Sequence, residues 1–393
     1  MRATSAKRLM TDEELLANAV RLQPLLRENT LESEASRRLP DEVIDGLTHA
    51  GFFRLLKPHR FGGYEVRQRT LLEVIETLGM ANGSAAWLVS IGATAAALVR
   101  CGSELVQSEI FSSPDARIGG SLNPGMARRV DEGLLVSGSW PFSSGAPHAD
   151  WVTLCAAVPD EADQNVGPYV CFAPASEMQL RDTWHTVGMR GTASHTFVVE
   201  DLFVPEHRAI ALSSLVNGET PVGEAEHQLP LGTLAALLLL GPLLGLGAAA
   251  AELAIDTAPC KSMHQASFAH QSDSVGVQIQ LAEAKLKLQT ARLHAFAVAA
   301  ALDEGTTVGG DAGYPRRAQA RGQCGYAAQQ VLDAIQILIN VHGAAGFADA
   351  SPMQQYWRDA NIAARHAALN AYLGYEIYGK SLLGIAERMS PLV

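Results

Sequence analysis

The 393-residue chain reads as a mainly α protein with a β domain set into its middle. Three observations predict this. From Thr11 to about Arg117, apolar residues recur at helical spacing. The pattern then changes to short runs rich in β-branched and aromatic residues, broken by Gly, Pro and Ser. From Glu224 onward, long Ala- and Leu-rich segments return. The expected division is a helical domain over 1–117, a β domain over 118–222 and a helical bundle over 223–393.

In the first part, the helical register is carried by Leu15, Leu16, Ala19 and Leu22, then Val43, Ile44 and Leu47, then Leu71, Leu72, Ile75 and Leu78. Pro40 followed by Asp41 and Glu42 suits a helix start, because Pro presets φ and acids favour the positive end of the helix dipole. Gly51 and Pro58 then stop the helix. In the middle part, RIGGSLNP, GLLVSGSWPFSSG, WVTLCAAV, YVCFAPA and HTFVVEDLFVP are strand-like runs that predict a small sheet or barrel. In the last part, four long helices are expected over 229–256, 274–303, 320–342 and 354–386, enough for an antiparallel bundle. A Gly- and Thr-rich loop over Gly305–Gly313 separates the second from the third.

Leu231 to Ala251 carries no charge and is long enough to span a bilayer. Gly241-Pro242, Gly245 and Gly247 interrupt it, and no aromatic belt or basic flank frames it, so it is expected as a buried central helix. Gly245-x-Gly247-x-x-Ala250 has no preceding strand and no acidic residue placed for a ribose, so it reads as a helix-packing surface and not as a dinucleotide fingerprint.

A net charge of -11 with interspersed signs argues against nucleic acid or an anionic membrane as partner and favours a neutral or apolar ligand. Five scattered cysteines without a CxxC pair indicate neither a disulfide framework nor a zinc site. The N-terminus turns acidic where the apolar core of a signal peptide would stand, so the expected location is cytoplasmic.

The sharpest chemical signal lies in Gln336–Tyr375. A Gly-rich turn with His342, Gly343 and Gly346 leads through a Pro-containing linker into a helix. On that helix Arg358, Asp359, Ile362, His366 and Asn370 are spaced to share one face, which holds one imidazole on a rigid element.

This stretch resembles the C-terminal signature of the acyl-CoA dehydrogenase fold, in which a Gly-rich turn precedes an Arg-Asp helix that closes over a flavin. The helical, strand, helical order resembles that architecture throughout. Dehydrogenases of the family continue into a catalytic Glu followed by Gly and Thr, whereas this chain has His366-Ala367-Ala368-Leu369. The α-proton base is missing. A His there resembles the flavin-dependent monooxygenases of this fold, the two-component group that hydroxylates phenols, indoles and thiophenes or oxygenates amino sugars.

The resemblance assigns further roles. Gly83-Ser84-Ala85-Ala86-Trp87 resembles the helix bordering the substrate cavity, which puts Trp87, His366 and Asn370 around the substrate. Ser121-Leu122-Asn123-Pro124-Gly125 falls where dehydrogenases have Thr-Glu-Pro at the flavin edge, and Trp140-Pro141-Phe142-Ser143-Ser144-Gly145 falls where they have Trp-Ile-Thr-Asn-Gly. Ser143 then takes the place of the Thr that bonds the flavin near N5, with Ser144 beside it and the aromatic residues Trp140 and Phe142 walling the ring from water. Gly188-Met189-Arg190-Gly191-Thr192-Ala193-Ser194 resembles a Gly-x-Arg-Gly-Thr-Gly-Ser pattern, and places Arg190, Thr192 and Ser194 at the flavin ribityl or phosphate. Gly343 and Arg358 belong to the turn and helix that close the cofactor site. Gln265-Ala266-Ser267-Phe268 lacks the Arg that grips the FAD pyrophosphate in dehydrogenases; Lys261 or His264 is the candidate substitute, and FMN and FAD both stay open.

The implied activity is that of an oxygenase component. It takes reduced flavin, FMNH2 or FADH2, from a separate NAD(P)H-dependent reductase. With O2 it forms a C4a-hydroperoxyflavin and hydroxylates a small, apolar, aromatic substrate such as a phenol or an indole. Catalysis would fall to His366, Asn123 and Ser143. The competing implications are an acyl-CoA dehydrogenase or oxidase with a displaced base, an amino-sugar N-oxygenase, and a non-catalytic assembly protein on the same fold. The broad apolar faces of the bundle imply a homodimer or homotetramer.

Overall fold

The computed structural model describes residues 9–159, 167–217, 230–263, 265–305, 313–390 and 393. Helices α1 (Asp12–Glu28), α2 (Thr30–Ser36), α3 (Asp41–His49), α4 (Gln68–Gly79), α5 (Gly83–Arg100) and α6 (Glu104–Ile110) form the first part. Their starts are written in the sequence. Thr11 and Glu14 make a reciprocal capping box on α1, Asn82 accepts from Ala85 N on α5, and Ser103 accepts from Val106 N on α6.

The middle part is a seven-stranded sheet: β1 (Ile118–Val130), β2 (Gly133–Ser143), β3 (Trp151–Ala157), β4 (Tyr169–Pro174), β5 (Gln179–Arg181), β6 (His195–Pro205) and β7 (Ala209–Ala211). The strand order is β5-β6-β2-β1-β3-β4-β7, with β1 and β3 parallel and every other pairing antiparallel. Its small core centres on Trp140, which is fully buried and donates from Nε1 to the Cys155 carbonyl at 2.9 Å. Burying a ring of that size stabilises by about 5 kcal/mol.

A short helix α7 (Leu212–Asn217) follows the sheet. The bundle then contains α8 (Leu231–Thr257), α9 (Val275–Asp303), α10 (Tyr314–His342), α11 (Pro352–Ala363) and α12 (Ala371–Leu382). The expected boundary at 222/223, residues 306–312 of the Gly- and Thr-rich loop, and His264 lie outside the described residues. Helix α8 is the central helix the sequence leads one to expect: 89% of its most apolar window is buried within the fold. It reaches that burial through small residues. A Cβ on Gly245 would stand 2.4 Å from the Glu76 carbonyl oxygen, so only Gly lets α8 cross α4 this closely.

Two expectations about the bundle are corrected. Helix α10 starts at Tyr314 with Pro315 in its first turn, six residues before the expected 320, because Pro is suited to a position whose N–H has no helical partner. The expected single helix over 354–386 is broken. Helix α11 ends at Ala363, residues 364–370 form tight turns, and α12 begins at Ala371 with the Asn370 side chain accepting from Leu373 N. His366 therefore sits in a turn between two helices and does not share a helical face with Arg358 and Asp359.

Candidate active site

Three parts of the chain meet at one cluster. From α5, the Trp87 ring packs edge-on against His366, centroid to centroid 5.7 Å, and its Nε1 donates to Ser144 Oγ at 3.1 Å. Ser144 Oγ lies 2.8 Å from Ser194 Oγ, and Ser194 Oγ lies 2.7 Å from Thr192 Oγ1, which donates to the Met189 carbonyl. A chain of hydroxyls thus runs from the loop before β6 to the ring that touches His366. Trp87, Ser144, Thr192 and Ser194 are all buried, so the chain fixes the Trp87 ring and is itself satisfied throughout.

His366 is solvent-accessible, yet its ring stands in a dense protein surround, as a group lining a recess does. Burial, with a contribution from the Arg321 guanidinium, pushes its pKa down to about 4. The ring is neutral at physiological pH. Its Nδ1 accepts from the Ala368 backbone N–H at 3.2 Å, so the neutral tautomer carries its proton on Nε2. The group on offer is a donor at Nε2, not a ready base.

Beside this cluster the β domain displays an apolar shelf. Phe142 is 64% exposed, takes a positive φ of 61°, and stands edge-on to Trp184 at 6.0 Å. Leu122 on β1 and Val187 in the loop before β6 are also exposed. Asn123 Nδ2 ties β1 to β2, donating to Ser121 Oγ at 2.8 Å and to the Pro141 carbonyl at 3.2 Å. An exposed aromatic held on a strained backbone among apolar neighbours, with a polar loop edge, fits a flat heteroaromatic ring such as a flavin.

Helix α11 fastens the loop that carries Val187. Asp359 is buried and accepts from Met189 N, while Arg358 donates to the Val187 carbonyl and pairs with Glu34 at 3.0 Å. Gly188 permits the contact, since a Cβ there would stand 2.6 Å from the Arg358 backbone.

Several expected roles change. Trp140 does not wall a cofactor; it is the centre of the sheet core. Ser143 is fully buried and donates to the Trp140 carbonyl at 3.0 Å, so its hydroxyl turns away from the shelf. The physical reason is the extra residue in Trp-Pro-Phe-Ser-Ser-Gly, which the chain absorbs as an irregularity between Trp140 and Ser143 with Phe142 pushed outward. Arg190 donates to the Glu34 and Thr186 carbonyls, and Thr192 and Ser194 bond to each other, so these three brace the loop instead of offering groups to a phosphate. Arg358 also braces, and the Asn370 side chain caps α12 through its Oδ1. Gly343 ends α10 with φ 71°; its turn packs on α11 through Phe347 and Trp357, away from the Trp87 cluster. Lys261 donates to the His342 carbonyl and so caps α10. Sequence reasoning missed Arg321, whose signal, an Arg among small residues inside an apolar helix face, was present but unread.

A small crevice behind Ser144 is lined by Ile44, Phe53, Leu88, Ile91, Arg117 and His148 among others. It shares only Ser144 with the cluster.

Fold and site together define a flavin-binding enzyme of the acyl-CoA dehydrogenase architecture. The acyl-CoA dehydrogenase N-terminal domain model matches residues 12–112, and the C-terminal domain model matches 237–371. Within that architecture, the FADH(2)-dependent resorcinol hydroxylase oxygenase component of Rhizobium sp. (strain MTP-10005) is 31% identical over 389 residues, 95% of each chain. The flavin-dependent monooxygenase oxygenase subunit HsaA of Rhodococcus jostii (strain RHA1) is 30% identical over 93% of this chain and 97% of its own. The solved structure of XiaF from Streptomyces sp. in complex with FADH2 and glycerol superposes with a TM-score of 0.89 at 32% identity, covering 97% of both chains. The chain belongs to the flavin-dependent monooxygenases of this fold, as an oxygenase component, and it is an enzyme.

Proposed function

We propose that this oxygenase hydroxylates a small aromatic substrate bearing a phenolic O–H or an indole-type N–H, using reduced FAD delivered by a separate NAD(P)H-dependent flavin reductase. For a phenolic substrate the reading is carried by His366 beside Trp87, with Nδ1 held by Ala368 N–H and Nε2–H left as an open donor that a ring oxygen can accept. The named substrates of relatives agree: resorcinol, indole-3-acetate and p-hydroxyphenylacetate all carry an aromatic ring. Reduced FAD is favoured over FMN because the relatives at 31% and 32% identity are named with FADH2.

When bound, reduced flavin supplies the electrons that activate O2. The chain's own residues do the rest. Phe142 and Leu122 present an apolar bed for the ring, and Asn123 holds the loop edge beside it. Trp87, locked by Ser144, forms one wall of the substrate recess. With a phenolic substrate, His366 Nε2–H donates to the ring oxygen and favours release of the phenol proton to solvent, and the resulting anion is richer in electrons for attack by an electrophilic oxygen atom.

The quaternary proposal is self-association through α9. Val275, Ile279, Leu286 and Leu293 are 63%, 62%, 62% and 72% exposed and recur at spacings of four and seven, a stripe that a second copy would cover. We place the enzyme in the cytoplasm, in keeping with cysteines that are all unpaired.

The test is anaerobic titration with reduced FAD and reduced FMN, followed by mixing with O2 and a phenol or indole. Tighter binding of reduced FAD and a hydroxylated product are expected. Reduction of bound flavin by an acyl-CoA, with no hydroxylation of any aromatic, would overturn the reading.

A further inference from the structure

The turn carrying His366 contains no Gly or Pro to hold it, so something else must. Residues 364–370 leave carbonyls without helical partners at the end of α11, just before α12 begins. Two of these carbonyls, Ala367 and Asn370, accept from Nη2 of Arg321, the second at 3.2 Å. Arg321 comes from α10 and is 4% exposed, with Nη1 buried and without a hydrogen-bond partner. A buried cation is costly unless its position serves the surrounding groups.

The packing around it is built from small residues. A Cβ on Gly374 would stand 2.9 Å from the Arg321 carbonyl and 3.1 Å from its Nη1, and one on Gly325 would stand 2.9 Å from the Ala371 Cα. Both glycines let α12 close on α10, which places the guanidinium against the turn. Within that turn the His366 carbonyl accepts from Leu369 N at 2.8 Å and from Asn370 N at 3.1 Å, and Ala368 N donates to His366 Nδ1. Ala368 follows Ala367, the residue whose carbonyl Arg321 grips. The grip and the ring are one peptide apart.

We infer that Arg321 is a positioning residue for His366: by holding the Ala367 and Asn370 carbonyls it fixes the 366–370 turn, keeps Ala368 N–H on Nδ1, and so presents Nε2–H to the substrate. The inference rests on the proposed role of His366 for its consequence in catalysis, but not for the geometry. Electrostatics adds a second effect. Among the neighbours of the imidazole, Arg321 is the charged group that presses its pKa down; α5 presents uncharged Trp87, and Arg365 is bonded back to the Asn361 carbonyl. One guanidinium therefore aims the ring and adds to the burial that keeps it neutral.

The experiment uses the full-length protein with ¹³C-labelled histidine, the His366 signal being the one lost in His366→Ala. Three variants separate charge from grip: Arg321→Met removes both, Arg321→Gln keeps a donor without charge, and Arg321→Lys keeps charge with a different reach. In Arg321→Met the His366 titration midpoint is expected to rise toward the ordinary value, burial still holding it below. Product formed per NAD(P)H should fall by about tenfold to a hundredfold, while binding of reduced flavin is kept. Arg321→Lys should hold the midpoint low and recover part of the coupling. Losses in Arg321→Met/His366→Ala should not exceed those of His366→Ala alone. An unmoved midpoint in Arg321→Met, or additive losses in the double variant, would overturn the inference. Should Arg321→Met fail to fold, the same midpoint in Arg321→Gln decides: a rise supports the inference, and no rise overturns it. Full hydroxylation by His366→Ala is a different failure, which removes the proposed role of His366 while the titration still decides whether Arg321 positions it.

Discussion

Asp359 offers a prediction whose size follows from the structure. Its carboxyl is buried and accepts from Met189 N, with Glu34 close enough to repel its charge. Burial first, and Glu34 second, raise its pKa from 3.8 to about 7. The unfolded chain releases this proton near 3.8 and the native protein near 7, so between those values the native state holds more protons than the unfolded state. Stability must then fall as pH rises through the window, and the full cost is present above pH 7. A shift of roughly three units corresponds to about 4 kcal/mol. Asp359→Asn keeps an oxygen for Met189 N and removes the ionisation. The variant is expected to match or fall slightly below the parent at pH 5, and to exceed it at pH 8. About two of those three units lie above pH 5, so roughly 2.7 kcal/mol is lost between pH 5 and pH 8, about 3 °C in melting temperature for a chain of this length. Calorimetric melting of both proteins from pH 5 to pH 8 measures the difference directly. A melting-temperature difference that stays flat across that range would refute the argument that a buried, largely protonated Asp359 joins α11 to the 187–189 loop.

Three further outcomes follow. His366→Ala should assemble and bind reduced flavin but lose hydroxylation by about 10²- to 10⁴-fold, with more hydrogen peroxide released per NAD(P)H; a peroxide assay beside product chromatography checks both. Because burial holds His366 neutral with a pKa near 4, the parent's coupling should stay level from pH 6 to 8, and a step near pH 6.5 in the coupling ratio would contradict that state. Ser144→Ala leaves Trp87 Nε1 without its acceptor, a loss of about 1–3 kcal/mol measurable by denaturant unfolding, with a shift in tryptophan fluorescence. Leu286→Glu with Leu293→Glu should lower the sedimentation coefficient if α9 is the surface between copies, and an unchanged value would discard it.

The order of helices and strands was legible because each rests on local pattern: helical spacing before Arg117, strand runs between, Ala- and Leu-rich helices after. The site was legible only in outline. Trp87 and His366 do meet, 5.7 Å apart, as the motif resemblance implied. The turn that carries His366 was not legible, since Ala364, Ala367, Ala368 and Leu369 are good helix formers and the side chain that bonds the turn, Arg321, is 46 residues from the Ala367 carbonyl it holds. Propensity in a short window cannot see a partner at that separation. The exchange of Ser143 for Ser144 has a different cause. Matching six residues to a five-residue motif leaves the place of the extra one undetermined, and the chain puts it at Phe142, where a positive φ turns an aromatic outward and Ser143 inward.

The corrections share a consequence for how the site works. Trp87 comes from the first helical part, Ser144, Ser194 and Thr192 from the β domain, and His366 from the bundle, so no one part contains the site. Many polar residues that looked like cofactor ligands are instead the fastenings between these parts: Arg190 to the Glu34 carbonyl, Arg358 to Glu34 and the Val187 carbonyl, Asp359 to Met189 N. Such fastenings are buried or half-buried polar contacts whose geometry is set by both partners, and a displacement of about 1 Å at a reacting group can cost a hundredfold in rate. The enzyme therefore leaves the oxygen chemistry to its cofactor and devotes its own polar groups to registry, which is why variants at Arg321, Asp359 or Ser144 should change coupling while the flavin still binds.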